Sequence, residues 1–363
     1  MTGPLVGLTI IEMAGLGPGP FAATMLADHG ARVIRVERPG NLSIPNDPLT
    51  RNRESLALDL KAPEARDLLQ RLATTADGLI EGYRPGVMEK LGLGPDVLQA
   101  ANPSLVYGRV TGWGQEGPLA ARAGHDINYL ALTGLLAAIG EPDRAPRAPL
   151  NLVADYAGGG MMLAFGMVAA LLEVQRGGAA RIVDAAMTDG SAMTGAVIYG
   201  LRAAGLWSGG RGGNMLDGGD PLYGCYACAD GKALALGAIE PQFRAALLAG
   251  LELSGAPDHA TVAQAVANRS RDEWVALFEG SDACVAPVLD LAEAPAHPHN
   301  IARSTFVDVG GVIQPAPAPR YVGQPLPPPR PPRRSGEDGS AILAELGLDQ
   351  AEVAILTASG VLR

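Results

Sequence analysis

The stretch LTIIEMAGLGPGPFAATMLADHGARVIRV, residues 8–36, determines the fold prediction for this chain. Its first six residues, 8–13, form a short apolar run typical of a buried strand. A glycine-rich turn follows, and residues 18–28 have the composition of a helix with proline near its start. Residues 32–36 are again apolar and short. Strand, helix and strand in this order predict a βαβ unit with parallel strands.

The same alternation continues to about residue 110. Residues 63–74 form an amphipathic helical pattern, and residues 78–80 and 105–110 are short apolar runs. Long apolar helices follow from residue 124, and a second, smaller region mixes strands and helices. We therefore predict an α/β chain with a Rossmann-like large domain, built on a parallel sheet, plus a smaller α+β domain.

The composition changes give the predicted domain boundaries. Residues 1–188 are assigned to the large domain, which residues 321–363 complete, and residues 189–216 to a linker helix. The small domain covers residues 217–305, and residues 306–320 form a return linker. Proline is dense from residue 315 to residue 332, which predicts an extended and largely unpaired chain there.

Length and charge exclude several classes of protein. The chain has 363 residues, of which 47% are hydrophobic, enough for a sizeable core. Its net charge of −10 argues against a nucleic-acid binder, which must neutralise phosphates. The longest apolar run, residues 161–172, is too short to span a bilayer, and no signal-peptide pattern is visible. These features predict a cytoplasmic protein without membrane contact.

Two short motifs resemble a cofactor site and a metal site, but their details predict neither. The turn GLGPGP at residues 15–20 has glycines at steps of two, unlike G-x-G-x-x-G, and Pro18 and Pro20 remove backbone donors. A nicotinamide dehydrogenase is therefore disfavoured. Cys225 and Cys228 lack a second pair and a nearby histidine, so we interpret them as buried cysteines rather than metal ligands.

A histidine and two aspartates stand at probable helix starts. The frame GHDINY at residues 124–129 contains His125 and Asp126, and Asp155 precedes a glycine-rich helix start. Taken singly, a structural histidine and a helix N-cap explain His125 and Asp155. Their joint occurrence in a recognisable frame favours a site.

The chain resembles the family III CoA-transferases from end to end. The matching motifs are LTIIEMA at 8–14, GPFA at 19–22, LADHGA at 26–31, VERP at 36–39, NR at 52–53, LDLK at 58–61, EGYRPG at 81–86, PVL at 287–289, HPH at 297–299, AELGL at 344–348 and GV at 360–361. Together these motifs are highly specific and cover nearly the whole length.

Within that family the chain is most similar to the racemase branch, the alpha-methylacyl-CoA racemases, and especially to its bacterial members. In the transferases, the residue matching Asp126 is the nucleophile. In the racemases a histidine precedes it, and this frame is complete at residues 124–129. The segments NLVAD at 151–155 and GAIEPQ at 237–242 also match the racemases.

The resemblance implies interconversion of (2R)- and (2S)-2-methylacyl-CoA thioesters through an enolate. One group must remove the C2 proton and another must return a proton to the opposite face. By resemblance these groups are His125 and Asp155, with Glu240 as the carboxylate partner of the histidine and Asp126 as polar support. Backbone N–H groups near Gly124 and Asp155 are hypothetical donors to the enolate. Proton transfer needs no metal and no organic cofactor, so none is expected.

The resemblance also implies the CoA contacts and the assembly. The implied contacts are Arg38, Leu58, Asp59, Leu60, Lys61, Gly82, Tyr83, Arg84 and Lys90, with the acyl group reaching Gly124, Asp126, Ile127, Asn128 and Tyr129. An interlocked homodimer is implied, in which Glu240 acts across the interface. Two alternatives remain open: a CoA-transferase with Asp126 as nucleophile, and an acyl-CoA-binding protein without chemistry.

Overall fold

The computed structural model describes residues 2–38, 44 and 46–363. The strands are β1 Thr9–Met13, β2 Arg32–Glu37, β3 Arg53–Ala57, β4 Gly78–Glu81, β5 Val106–Thr111, β6 Ile182–Ala186, β7 Tyr223–Ala227, β8 Ala233–Gly237, β9 Val285–Val288, β10 Phe306–Val309 and β11 Val312–Pro315. The helices are α1 Pro18–Asp28, α2 Pro63–Ala73, α3 Val87–Lys90, α4 Pro95–Ala101, α5 Asp126–Leu132, α6 Met162–Gln175, α7 Met187–Thr194, α8 Ala196–Ala203, α9 Pro241–Gly250, α10 His259–Val266, α11 Arg271–Phe278, α12 Pro298–Arg303, α13 Gly339–Glu345 and α14 Gln350–Ala358. A π-helix, Leu152–Met161, leads directly into α6.

The chain divides into two compact units. The first unit contains residues 1–133, 149–195 and 306–363, and the second contains residues 134–148 and 196–305. Residues 134–148 belong to the second unit, although the sequence placed them in the large domain. Arg211 accounts for this, because its guanidinium donates to the carbonyls of Ala137 and Glu141, both at 2.9 Å.

The first unit is built on a parallel sheet, which confirms the predicted fold class. Its six strands follow the order β3-β2-β1-β4-β5-β6, the order of the Rossmann fold. In the central strand β1, Ile11 pairs with Ile34 of β2 and with Leu79 of β4. All three are buried, because helices cover both faces of a parallel sheet and its strands become apolar throughout.

The C-terminal segment packs into the first unit. Leu362 forms an isolated bridge with Leu58, next to the end of β3, and Asp59 donates its backbone N–H to the carbonyl of Val361 at 3.0 Å. Leu362 and Leu343 are buried in the core that α2 and β3 also supply. The end of the chain therefore borders the loop that follows β3.

Residues 306–320 are not only a linker. Their first part is an antiparallel hairpin, β10–β11, in which Phe306 pairs with Pro315. Gln314 is buried there and accepts a hydrogen bond of 2.7 Å from Arg51, whose guanidinium also binds Asp28. The hairpin is thus fixed by side chains distant in sequence, which a local reading cannot reveal.

The π-helix and α6 form one continuous apolar segment, longer than the run predicted from the sequence. By length and composition alone, Leu152–Gln175 is sufficient to cross a membrane. Its glycines at 158–160 are buried, and an added Cβ on Gly160 would meet Phe21 of α1 at 2.6 Å. The glycine-rich face of the π-helix therefore packs closely against α1.

The second unit has a small antiparallel sheet and its own core. The strand order is β7-β8-β9, and Leu234 of β8 pairs with Tyr226 and with Pro287. Its core includes Leu234, Trp274 and Phe278. The rings of Trp274 and Phe278 stack with their centroids 5.9 Å apart. This unit is α+β, as predicted.

Candidate active site

The loops that follow the parallel strands lie at one edge of the sheet. The turn at residues 14–17 follows β1, the loop at residues 82–86 follows β4, and Gly112 and Trp113 follow β5. Strand order reverses between β1 and β4, and ligands of doubly wound proteins bind at that point of the carboxyl edge. The site is expected there from topology alone.

A cavity of about 320 Å3 lies at this edge and gathers many of the predicted residues. It is lined by His125 of the predicted catalytic set and, from the predicted CoA-binding and acyl-binding sets, by Gly82, Tyr83, Arg84, Gly124 and Tyr129. Trp113 and Met187 also line it, and the sequence analysis did not select them. The signal for Trp113 in the sequence is its position just after Gly112, which follows the predicted strand at the carboxyl edge.

His125 stands at the N-cap of α5 with its side chain exposed. Its backbone N–H donates to the side-chain oxygen of Asn128 at 3.0 Å, and its carbonyl accepts the N–H of Asn128 at 2.8 Å. Asn128 therefore fixes the backbone at His125. Ile127, on the first turn of α5, is exposed.

Tyr129 forms one wall of the cavity. Its hydroxyl donates to the carbonyl of Gly124, and its ring meets the ring of Trp113 edge-on at 4.8 Å. A Cβ on Gly124 would lie 2.7 Å from the Tyr129 ring, and one on Gly112 would overlap it. These two positions admit only glycine, because the ring occupies the space of a side chain.

Asp126 is buried and binds the start of the π-helix. Its Oδ2 accepts the backbone N–H groups of Ala154 at 2.7 Å and of Asp155 at 2.8 Å. Its Oδ1 is buried without a hydrogen-bond partner among the described residues. The carboxylate is thus engaged with the backbone of the neighbouring segment.

Asp155 is half-buried beside it. Burial raises the pKa of the Asp155 carboxyl above its ordinary value, and the negative charge of Asp126 raises it further. A hydrogen bond of 3.1 Å from Asn151 and the proximity of His125 act in the opposite direction. Asp155 in turn contributes to the raised pKa of Tyr129, whose main cause is burial.

One hypothesis from the sequence is partly wrong. The N–H groups of Ala154 and Asp155 were expected to be free for an enolate, but Asp126 accepts both. The N–H of His125 is likewise bound by Asn128. These three N–H groups are therefore already engaged by side chains of the chain itself.

The remaining predicted CoA contacts fall into two sets. Arg38, Lys61 and Lys90 are exposed, and Asp59 accepts the backbone N–H of Lys61 at 3.1 Å. Leu58, in contrast, is 1% exposed within the core, and Leu60 packs against that core. The chain turns the Leu58 side chain inward after β3, so this side chain is not available for the contact that the resemblance implies. Pro39 of the motif at 36–39 lies outside the described residues.

A buried ion pair shapes the loop after β4. Glu81 accepts a hydrogen bond of 2.8 Å from Arg109 through one oxygen and the backbone N–H of Tyr83 at 2.7 Å through the other. Arg109 also binds Glu89 of α3 at 2.8 Å. The ion pair of Glu81 and Arg109 therefore holds the segment that carries Tyr83 and Arg84.

The second unit carries Glu240 and the cysteines. Glu240 is exposed at the N-cap of α9. Cys228 is buried as predicted, but Cys225 is exposed, so its interpretation as a buried cysteine is wrong. Within the described parts of the chain, no group of three or more His, Cys, Asp or Glu residues is arranged to hold a metal ion.

Comparison with known proteins places this geometry in a family. The sequence profile of CoA-transferase family III matches residues 5–338. The human alpha-methylacyl-CoA racemase is 43% identical over 96% of this chain and 95% of its own length. The acetyl-CoA:oxalate CoA-transferase of Acetobacter aceti is 28% identical over 96% and 97%. The crystal structure of a CAIB/BAIF family protein from Brucella suis superposes with a TM-score of 0.81, at 28% identity, over 95% of this chain and all of that one.

Proposed function

Because this chain belongs to CoA-transferase family III, we propose that it is an alpha-methylacyl-CoA racemase, which interconverts (2R)- and (2S)-2-methylacyl-CoA thioesters. The racemase relative is more similar to this chain than the transferase relative is, over equal coverage. The observation that carries the proposal is the position of His125, exposed at the cavity, on a segment that Asp126 ties to the backbone of Asp155.

In the proposed mechanism His125 serves one face of C2 and Asp155 serves the other. The hydrogen next to a thioester carbonyl is weakly acidic, so its removal needs a positioned base and leaves an enolate. Histidine titrates near neutrality and can accept this proton. A carboxyl with a raised pKa keeps its proton closer to neutral pH, which suits Asp155 to the return step. The roles reverse for the opposite enantiomer.

The remaining parts of the proposal concern the thioester and the assembly. Arg38, Lys61, Arg84 and Lys90 are exposed cations that would pair with CoA phosphates. We propose an interlocked homodimer in which Glu240 of one subunit supports His125 of the other. No metal, organic cofactor, nucleic acid or membrane takes part in this cytoplasmic reaction as proposed.

The test is deuterium incorporation at C2 of a single enantiomer of a 2-methylacyl-CoA in heavy water, followed by NMR. We expect incorporation with loss of stereochemical purity for the wild type. His125→Ala and Asp155→Ala should each lower the rate by at least about a hundredfold, the usual contribution of a general acid or base. As a matched control, Asp189→Asn changes an exposed carboxylate on α7 and should retain the wild-type rate.

The same preparation distinguishes the transferase. No incorporation from several 2-methylacyl-CoA thioesters, together with Asp126-dependent movement of CoA to a free carboxylic acid, would replace the racemase by the transferase. Binding of the thioester without either reaction would indicate an acyl-CoA-binding protein.

A further inference from the structure

Asp126 connects the two segments that carry the proposed acid/base groups. It directly follows His125 at the start of α5, and its Oδ2 accepts the N–H groups of Ala154 and Asp155 at 2.7 and 2.8 Å. Asp126 is only 5% exposed, and one of its two carboxylate oxygens is occupied by these backbone groups. One carboxylate therefore fixes the backbone of residue 155 relative to the backbone of residue 125.

The second carboxylate oxygen of Asp126 makes no hydrogen bond to the described residues that would offset its charge. Oδ1 is buried and has no hydrogen-bond partner among the described residues. Ionisation of Asp155 would place a second negative charge beside it, and like charges at short range oppose each other strongly when water is excluded. Such a pair favours the protonated form of the more exposed carboxyl.

The other described groups around Asp155 do not supply a negative charge of this kind. From α5, His125 and Tyr129 face it, and Arg84 lies close enough to Tyr129 to influence its pKa. On its own segment, Asn151 donates to it at 3.1 Å.

From the loop before α1, Gly17 presents only backbone, with its Cβ position 3.5 Å from Oδ2 of Asp155. From α7, Gly190 and Ser191 reach Gly158, and Asp189 is exposed. Among these neighbours Asp126 is the group that raises the pKa of Asp155 by its charge.

We propose that Asp126 is a positioning residue for racemisation: it ties the backbone of Asp155 to the His125 segment and places a second carboxylate near the Asp155 carboxyl. This inference rests on the proposed racemase function. It assigns to the position of the transferase nucleophile a different task, in which the carboxylate forms no covalent bond. The tether and the charge are separable by substitution.

Two variants separate them. In Asp126→Asn the amide oxygen still accepts both N–H groups, while the negative charge is lost. In Asp126→Ala both are lost. The measurement is an NMR titration of 13C-labelled aspartate carboxyls in the full-length protein without substrate, with Asp155→Asn to assign the Asp155 resonance. Amide hydrogen exchange of Ala154 and Asp155 reports the tether.

We expect Asp126→Asn to lower the pKa of Asp155, because a neighbouring negative charge is lost, and to keep both amides protected. Asp126→Ala should lose that protection. In the direction in which Asp155 donates, the rate falls as pH rises through its pKa, so this limb of the kcat/KM profile should move to lower pH in Asp126→Asn. KM should stay within about threefold, because the thioester contacts are unchanged.

The control is Asp189→Asn, which removes an exposed carboxylate from α7 and should leave the pKa of Asp155 unchanged. An unchanged pKa of Asp155 in Asp126→Asn, with both amides protected, would overturn the charge effect. Amides that stay protected in Asp126→Ala would overturn the tether. Both readouts are obtained without catalysis, so they hold or fail independently of the racemase assignment.

Discussion

At the scale of single residues, one buried arginine holds two glutamates of very different exposure. Glu81 is 1% exposed and Glu89 is 44% exposed, and each binds Arg109 at 2.8 Å. Only Glu81 also accepts the N–H of Tyr83, which lines the cavity. The two carboxylates therefore provide a comparison between a buried partner that binds the backbone of Tyr83 and an exposed one that does not.

We predict that Glu81→Gln destabilises the protein by about 3 kcal/mol, because it leaves a buried arginine without its buried partner. It should also raise KM for the acyl-CoA about tenfold, with kcat retained within a few-fold, since the loop at residues 82–86 loses its support. Urea unfolding and steady-state racemisation measure the two effects. Glu89→Gln is the control, and we expect a loss below about 1 kcal/mol and an unchanged KM. Equal effects in the two variants would contradict this role of Glu81.

The sequence predicted the site residues that a motif carries and missed those that only tertiary packing supplies. His125, Tyr129 and Arg84 were selected from family frames, and they line the same cavity. Trp113 was missed because no family motif includes it, although it follows β5 at the carboxyl edge of the sheet. The inward direction of the Leu58 side chain was not predicted, because a motif does not specify which way a side chain points after its strand ends.

At the scale of elements, α7 and the π-helix approach each other through glycine. A Cβ on Gly190 would overlap the carbonyl of Gly158, and one on Gly158 would lie 2.6 Å from the N and Oγ of Ser191. The π-helix carries Asp155 near its start. The separation of these two helices therefore sets the position of the proposed acid/base group.

Gly190→Ala is accordingly expected to lower stability by about 1–3 kcal/mol or more and to reduce kcat, because a methyl group must push α7 away from the π-helix. Gly200→Ala is the matched control, since Gly200 lies in α8 with open space around its Cβ position. There the same change should stabilise by about 0.5–1 kcal/mol through helix propensity. Thermal unfolding and hydrogen exchange of the peptide spanning residues 152–175 measure both. Wild-type exchange in Gly190→Ala would show that the helices tolerate the methyl group.

The elements themselves were predictable where the pattern is local. Strand β1, helix α1 and strand β2 follow from one stretch of sequence, because apolar periodicity and a proline at the helix start specify them. The hairpin β10–β11 was read as a linker, since its stability depends on Arg51 and Gln314. The winding of residues 152–161 as a π-helix was also not foreseen, because a glycine-rich apolar run does not specify helix type.

At the scale of the whole molecule, one face of the first unit suggests assembly. Helix α6 and the residue before it expose Met161, Phe165, Val168 and Leu172, which recur at helical spacing, and Phe165 is 74% exposed. Contiguous apolar surface of this kind marks protein–protein contact in soluble proteins. It supports the proposed homodimer, and the dimer in turn would supply Glu240 to a site that the first unit leaves open to solvent at His125.

Mixing two inactive variants tests that arrangement. If each site combines His125 of one subunit with Glu240 of its partner, a mixed dimer of His125→Ala and Glu240→Ala contains one intact site and one doubly altered site. Random reassociation makes half of the dimers mixed, so about a quarter of wild-type activity should return. The variants are unfolded and refolded together, and racemisation is compared with separately refolded samples. If both residues of a site come from the same chain, every site carries one substitution, and the mixture stays as inactive as its components.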